Sequence, residues 1–531
     1  MEEPCLRVVM FGPGLDGKLA PEWYGNKAAG LADMAAAGIP VPPGFVLPVM
    51  VCEEYYRNGE RLPEDVPGLL AQGVSYLEKS TGYVFGGARK PLLVSVRSGA
   101  PVSMPGIMDT ILNVGLTPVT VRALLAQTGN PRFVYDTYRR FLENFGTSIL
   151  NHPAKAYAQD LKDLMKQEGI TDERELDYQS LRSLCQSYEQ EYTSPEHRAC
   201  LTDTRQQLTE CMTAVLRSFA GPRASTFFKT GVAGMVSGTA VTVQVMVFGN
   251  MGASSGAGVA FTRNPWTGSK DVLIDFRFGG QGEDVVSGDR EAMTQDELAQ
   301  VMPDVHSELV RICRHLESHF GDMQDLEFTI QEGKLFLLQT RSGKRAPYAA
   351  LRIAVDLCTE GILSQKKALA LLETINLDAI EIQALSSPGR PLGQGTSASG
   401  GIAHGTIALT PERAGSDAKS GPVILVRETA SPDDIAGIDV ASGLLTARGA
   451  RTSHAAVVAR QLGKVCVVNC MDLRIDIPRH RCSMGDISLR EGETISIDGN
   501  TGAVYKGEVA VTSERPSDLT AAVRSWQVSH D

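Results

Sequence analysis

His454 opens the run His454-Ala-Ala-Val-Val-Ala-Arg460, and Thr452 and Ser453 stand directly before it. A Ser or Thr in that position caps helices, so the spacing predicts a helix that starts near His454. The first turn of a helix leaves backbone N–H groups unpaired and carries the positive end of the helix dipole. Phosphate oxygens settle readily at such an end, and an imidazole is a competent nucleophile near neutral pH. The chemistry this combination suits is transfer of a phosphoryl group to a histidine nitrogen. A lone histidine of this kind is more often a helix cap or a packed surface residue, so the rest of the chain has to decide.

A histidine that accepts phosphate needs a donor site. Lys27 follows Gly25 at a predicted helix start, and Arg97 follows the short β-type run 92–96; both can neutralise phosphate oxygens. Residues 325–330 and 334–340 predict a hairpin turning at Glu332-Gly333. Asp325 and Glu327 then share one face of their strand, and Gln339 shares a face with Leu337 and Arg341 on the other. The plain alternative for the acidic pair is a strand edge facing water. The glycine-rich stretch 249–258 is neither a P-loop nor a dinucleotide fingerprint, and alone it reads as a turn.

These groups must be positioned by two or three domains, the number that 531 residues support. With 43% hydrophobic and 21% charged residues, the composition is that of a soluble globular protein. A net charge of −11 argues against a protein that coats polyanions, though ATP needs only a local cluster of cations. No apolar run is long enough to span a bilayer, and the acidic start Met1-Glu-Glu-Pro-Cys5 lacks a leader's basic region. The expectation is a cytoplasmic protein that binds neither nucleic acid nor membrane. Ten scattered cysteines without zinc spacing read as reduced thiols, with Cys466 and Cys470 in core packing.

Along the chain, residues 118–218 read as helical, with Tyr135, Tyr138, Phe141 and Phe145 forming a core stripe. Residues 238–248 are β-rich and run into the glycine loop at 249–258. Helices are expected over 346–384, then a linker, Ser386-Ser-Pro-Gly-Arg-Pro-Leu-Gly393. The last domain alternates β runs at 423–427, 443–446, 465–468 and 494–497 with glycine turns, and the tail at 509–531 carries no usable motif.

The segment 446–460 closely resembles the phosphohistidine motif of the pyruvate phosphate dikinase and phosphoenolpyruvate synthase family. Ser399-Gly-Gly-Ile-Ala-His-Gly405, Ser431-Pro-Asp-Asp434 and Ile497-Asp-Gly-Asn-Thr-Gly-Ala-Val-Tyr505 look like its carrier domain. Ser95-Val-Arg-Ser-Gly-Ala-Pro-Val-Ser-Met-Pro-Gly-Ile-Met-Asp109, Met246–Gly252, Thr262-Arg-Asn-Pro265, Gln281–Val286, Asp322–Thr329 and Leu338–Arg345 are similar to its nucleotide domain. Runs this long and dispersed make chance agreement no serious competitor.

The resemblance implies a multidomain α/β and α+β fold. An ATP-grasp nucleotide domain (1–345), with a helical insertion near 118–218, would be followed by a connector (346–393). A swivelling β/β/α phosphohistidine domain (394–508) would then precede a tail (509–531). Lys27 and Arg97 would contact phosphates, and Gln244, Met246 and Val247 would line the adenine edge. Asp325, Glu327 and Gln339 would hold Mg²⁺, Arg341 would face the phosphates, and Glu283 is a further ATP-binding candidate. His454 would take the β-phosphoryl of ATP, helped by Arg97 and Arg341. Thr452 matches a regulatory phosphorylation position of plant-type members but reads more simply as a cap, and His404 as structural.

The sequence departs from the family at Gly449-Ala450, where two glycines are usual, and at Arg451, where an apolar residue is common. Arg451 is expected to contact phosphate or face solvent. Full-length members continue into a barrel that binds pyruvate and phosphoenolpyruvate, and a barrel needs roughly 250 residues. The expectation is therefore the ATP-to-histidine half-reaction alone, with pyruvate or phosphoenolpyruvate held by a separate barrel-domain protein. Inorganic phosphate or water as co-substrate stays open, as does a homodimer. The rival readings are a stand-alone paralogue with another small-molecule acceptor and an ATP-binding regulatory pseudoenzyme.

Overall fold

The computed structural model describes residues 6–15, 17–101, 108, 110–192, 194–221, 224, 237–282, 293–386, 389–430, 434–449, 451 and 454–528. The chain is a mixed α/β multidomain protein that divides into two compact units. One comprises residues 1–255 with 330–340, the other 256–329 with 341–531.

The first unit is built on an antiparallel sheet ordered Val9–Phe11, Gly44–Leu47, Ala240–Val245, Val94–Gly99 and Thr110–Val114. Its inner strands Val94–Gly99 and Ala240–Val245 are rich in valine, which suits a pleated surface, and Val94–Gly99 is buried throughout. The stretch read as helical forms helices at Pro118–Thr128, Pro131–Ile149, Ala154–Glu168, Tyr178–Glu189, Pro195–Cys200 and Thr204–Ser218. Thr117, Asn130, Asp177, Ser194 and Asp203 cap five of them through their side-chain oxygens. Tyr138, Phe141 and Phe145 are buried in the core, as the stripe required.

The second unit opens with strands ordered Met293–Thr294, Leu273–Phe278, Gly256–Phe261 and Gln324–Gln331. The hairpin about Glu332-Gly333 forms, and both turn residues have positive φ, 48° and 77°. One expectation is corrected here: Gly256 and Gly258 lie in a strand and not in the loop. A Cβ on Gly256 would fall 2.2 Å from the Phe276 ring and one on Gly258 2.4 Å from Phe328. Glycine there is a packing requirement, which composition alone disguises as a turn.

Residues 393–506 contain an eight-stranded sheet whose centre, Ile402–Ala408, Val423–Arg427, Gly443–Thr446 and Val465–Val468, is parallel. Helices Pro411–Asp417, Ile435–Val440 and His454–Gln461 cross between those strands. One sheet face packs on these helices through Leu425, Leu444, Ala456, Ala459 and Cys466. The other packs on the small meander Leu473–Asp476, Arg481–Met484 and Ile487–Arg490 through Leu445, Val467, Cys482 and Met484. The result is three layers, β/β/α. The β runs predicted at 423–427, 443–446 and 465–468 have the same bounds in the fold, and that at 494–497 runs one residue further.

The connector forms helices Pro347–Thr359 and Gln365–Leu371, and the tail, which offered no motif, folds back on it. Val511–Glu514 pairs with Ile382–Leu385, and Val523 and Trp526 of the Ser517–Val528 helix join the core of Leu351, Ile353 and Leu357. Among the described residues no helix is long and apolar enough to cross a membrane. All nine described cysteines are free, and burial pushes the thiols of Cys466 and Cys470 up to about 12 and about 11.

Candidate functional site

In the first unit, the Pro21–Ala36 helix is kinked at Gly25, which adopts φ 74° and ψ 153°. A Cβ there would lie 1.8 Å from the Gly99 carbonyl oxygen, so only glycine allows the helix to approach the end of the Arg97 strand. Asn26 N–H donates to the Ala100 carbonyl at 3.3 Å, and Lys27 follows at once. Arg97 is buried, and its guanidinium donates to the Leu338 carbonyl at 2.9 Å and to Gln244 Oε1 at 3.5 Å. Gln244 is itself buried and donates to the Pro42 carbonyl at 3.1 Å. Its side chain thus braces Arg97 and the neighbouring loop. Met246 and Val247, by contrast, are half-buried and follow the end of that strand at Val245.

The loop after Val247 is anchored by groups that no motif announced. Asn250 donates to Asp136 Oδ2 at 2.8 Å and to Thr137 Oγ1 at 3.2 Å. Asn130 donates to the Met251 carbonyl at 3.0 Å, and Phe133 meets Phe248 edge to face. On its other flank Phe248 N–H donates to Gln331 Oε1 at 2.8 Å. Burial alone would raise the Asp136 carboxyl, yet Arg140 and Arg139 beside it hold it well below the usual range.

In the second unit, Asp325 and Glu327 are half-buried on one strand face while Leu326 and Phe328 are fully buried on the other, the alternation read from sequence. Arg341 donates to Asp325 Oδ2 from Nε at 2.8 Å and lies 2.7 Å from it through its terminal nitrogen. Burial pushes the Asp325 carboxyl up, against the pull of Arg341 and with Glu327 adding to the rise. Burial would lower Arg341, but Asp325 and Glu327 hold its guanidinium above the usual value. Two half-buried carboxylates sharing one arginine form a hard-oxygen donor set with negative charge to spare, which fits a Mg²⁺ ion. Among the described residues no cluster of three or more His, Cys, Asp and Glu could hold a metal, so this pair alone would leave most of the coordination sphere to phosphate oxygens and water. Gln339 lies in the part of the hairpin that belongs to the first unit. Glu283 and Thr452 lie outside the described residues.

The predicted helix begins at His454, where the chain leaves the C-terminal end of the parallel strand Gly443–Thr446. That end of a parallel strand is where such sheets present ligands. The expectation for Arg451 is corrected: it is 9% exposed, and its Nε donates to Asp275 Oδ1 at 2.9 Å. Arg460, further along the helix, donates to the carbonyls of Arg451 and Ala398 at 3.1 Å each and lies over the rings of Trp266 and Phe261. Burial lowers Arg460's proton affinity, with Asp325 and Asp275 opposing that fall. The only sequence signal for this junction is an arginine standing in a loop of glycine and alanine.

Two family profiles match the chain. "Pyruvate phosphate dikinase, AMP/ATP-binding domain" covers residues 59–304 and 289–358, and "PEP-utilising enzyme, mobile domain" covers residues 420–502. The first spans more than half of the sequence, and the chain belongs to the pyruvate phosphate dikinase family. Similar proteins include pyruvate, phosphate dikinase 2 of Zea mays, 41% identical over 530 residues, covering 98% of this chain and 60% of that protein. The chloroplastic pyruvate, phosphate dikinase 1 of Arabidopsis thaliana is 40% identical over 527 residues, covering 98% and 55%. Pyruvate, phosphate dikinase of Clostridium symbiosum is 40% identical over 510 residues, covering 94% and 58%. The chain spans little more than half the length of the curated relatives it matches.

Proposed function

We propose that this chain is an ATP-dependent phosphotransferase of the pyruvate phosphate dikinase type, with an ATP-grasp nucleotide domain and a swivelling phosphohistidine domain. A histidine-led helix at the C-terminal edge of a parallel sheet, in a chain that also holds Arg341 against Asp325, supports this above all else. Lys27, Arg97 and Arg341 bind phosphate oxygens, and Gln244, Met246 and Val247 take the adenine edge. Asp325, Glu327 and Gln339 hold Mg²⁺, which neutralises phosphate charge when bound; Glu283 is a further ATP contact. A ring nitrogen of His454 attacks the β-phosphorus, forming the N–P bond as the P–O bond to AMP breaks. Inorganic phosphate or water then removes the γ-phosphoryl.

The onward acceptor in this reading is pyruvate, bound by a barrel-type domain that residues 1–531 do not include. A covalent intermediate that visits two sites requires ping-pong kinetics and a hinge in the connector. A cytoplasmic site of action belongs to the same proposal. The test uses ATP labelled separately at β and γ. Acid-labile, base-stable label from the β position on wild type, absent from His454→Ala, is the expected result. ATP binding without any label would overturn transfer and favour a regulatory protein. Adding pyruvate, with and without a barrel-domain protein, then reads the acceptor.

A further inference from the structure

Thr446 is the last residue of a parallel strand whose four residues are all buried, and it is itself 2% exposed. Leu444, two residues earlier on the same strand face, packs with Ala456 and Ala459 of the His454–Gln461 helix. Thr446 therefore faces the side of the sheet that this helix covers, at the strand end from which the loop to His454 departs. Its Oγ1 is buried and has no hydrogen-bond partner among the described residues. The same holds for Asn469 Oδ1. Asn469 stands beside it at the next strand end, because Cys470 N–H donates to the Thr446 carbonyl at 3.0 Å. Asn469 also adopts the left-handed region, φ 54°, a conformation asparagine tolerates better than most residues.

A buried hydroxyl without a partner costs stability, and native structures keep few of them. Two such atoms at adjoining strand ends, Thr446 on the face that the helix covers, lie at the ligand-presenting edge of a parallel sheet and suit a polar group. We infer that Thr446 and Asn469 form the floor of a pocket for the phosphoryl group carried at the start of the His454–Gln461 helix. This rests on the reading of His454 as the carrier and adds the residues that hold its load. The Thr446 hydroxyl donates to a phosphoryl oxygen. The Asn469 amide, turned about its last torsion, presents its N–H to the same group. Both are positioning residues that lengthen the life of the phosphohistidine.

The experiment phosphorylates the full chain in two ways: with ATP, and with phosphoramidate. In the second case the imidazole nitrogen takes the phosphoryl group and ammonia leaves, independently of any nucleotide site. The decay of the phosphohistidine signal at neutral pH is followed by ³¹P resonance, counting only signal absent from His454→Gln. Loss of a charge-assisted hydrogen bond predicts decay about tenfold faster in Thr446→Val. Thr446→Ser, which keeps the hydroxyl, should stay within about twofold of wild type. The Tm of Thr446→Val should equal or exceed that of wild type, because an unpartnered hydroxyl is gone. Asn469→Asp, which sets a carboxylate against the phosphoryl group, should also decay faster and serves if the valine variant folds poorly. Wild-type lifetimes in Thr446→Val and Asn469→Asp would overturn the inference, as would a serine variant no better than valine. Phosphoramidate labelling that obeys these rules while ATP gives no label would overturn the ATP reading and leave the pocket standing.

Discussion

Arg451 Nε donates to Asp275 Oδ1 across 2.9 Å, and the two side chains are only 10% and 8% exposed. One belongs to the loop before His454 and the other to the strand Leu273–Phe278, so a buried ion pair joins that loop to this strand within the second unit. Arg460 reinforces the junction, with its guanidinium over Trp266 and its donor on the Arg451 carbonyl.

Removing one partner of a buried pair leaves the other charge without compensation, which costs about 3 kcal/mol or more. Arg451→Ala should therefore lose about that much in urea unfolding. Arg451→Met with Asp275→Asn should lose clearly less, because no charge is stranded. On the functional side, Arg451→Met should slow labelling of His454 by ATP and leave labelling by phosphoramidate unchanged. Equal losses in the single and double variants would mean that the pair does not couple.

Gly25 makes a sharper prediction, since a methyl group has no room there. The Gly25→Ala Cβ would fall 1.8 Å from the Gly99 carbonyl, and φ is 74°. The helix must shift, and Lys27 shifts with it. A displacement of about 1 Å at a phosphate-binding cation is worth about a hundredfold in rate. Label uptake from ATP should fall by that order and the Tm should drop, because backbone must give way, while the circular dichroism spectrum of the folded protein changes little. Activity near wild type would remove Lys27 from the phosphate site.

The raised carboxyl of Asp325 sets a pH dependence. Its folded value lies above the ordinary 3.8, so between the two the folded state keeps a proton that the unfolded chain has released. Stability should fall as pH rises through that window, and Asp325→Asn should abolish this slope. Mg²⁺-ATP needs the ionised form, so affinity should climb over the same window and proton release should accompany binding. Calorimetry in two buffers of different ionisation enthalpy, with Asp325→Asn as reference, reads both. Binding with no proton release inside the window would exclude Asp325 as a ligand.

Much of this arrangement was legible because it is periodic or punctuated. Asp325 and Glu327 show the two-residue alternation of a strand, Glu332-Gly333 shows the turn, and the β runs of the carrier region are apolar stretches bounded by glycine. What stayed hidden depends on residues far apart in sequence. Gly256 and Gly258 read as loop residues until Phe276 and Phe328 are seen pressing on them. Arg451 read as a surface or phosphate group until Asp275, 176 residues away, came beside it. The tail helix had no pattern to interpret without the connector it covers. Tertiary partners, which no local window contains, account for each of these.

Asp136 is the remaining test, because a fully internal carboxylate is tied both to a charge network and to the loop after Val247. It accepts from Arg139 at 3.1 Å, Arg140 at 3.1 Å and Asn250 at 2.8 Å. Asp136→Asn keeps the shape but strips the charge that balances Arg139, which is 3% exposed. The loss should be about 3–5 kcal/mol by denaturant unfolding near neutral pH. Asp136 is held below its ordinary 3.8, so its contribution is complete above that value and disappears only as pH falls through the depressed folded value. The gap between wild type and Asp136→Asn should therefore be as wide at about pH 5 as at about pH 7, and close only in stronger acid. Asn250→Ala, which leaves the arginines paired, should cost less stability but, on the proposed adenine contact of Met246 and Val247, raise the KM for ATP several-fold with kcat little changed, because the loop after Val247 loses its anchor. An unchanged KM in that variant would show that Met246 and Val247 hold their positions without the helical insertion.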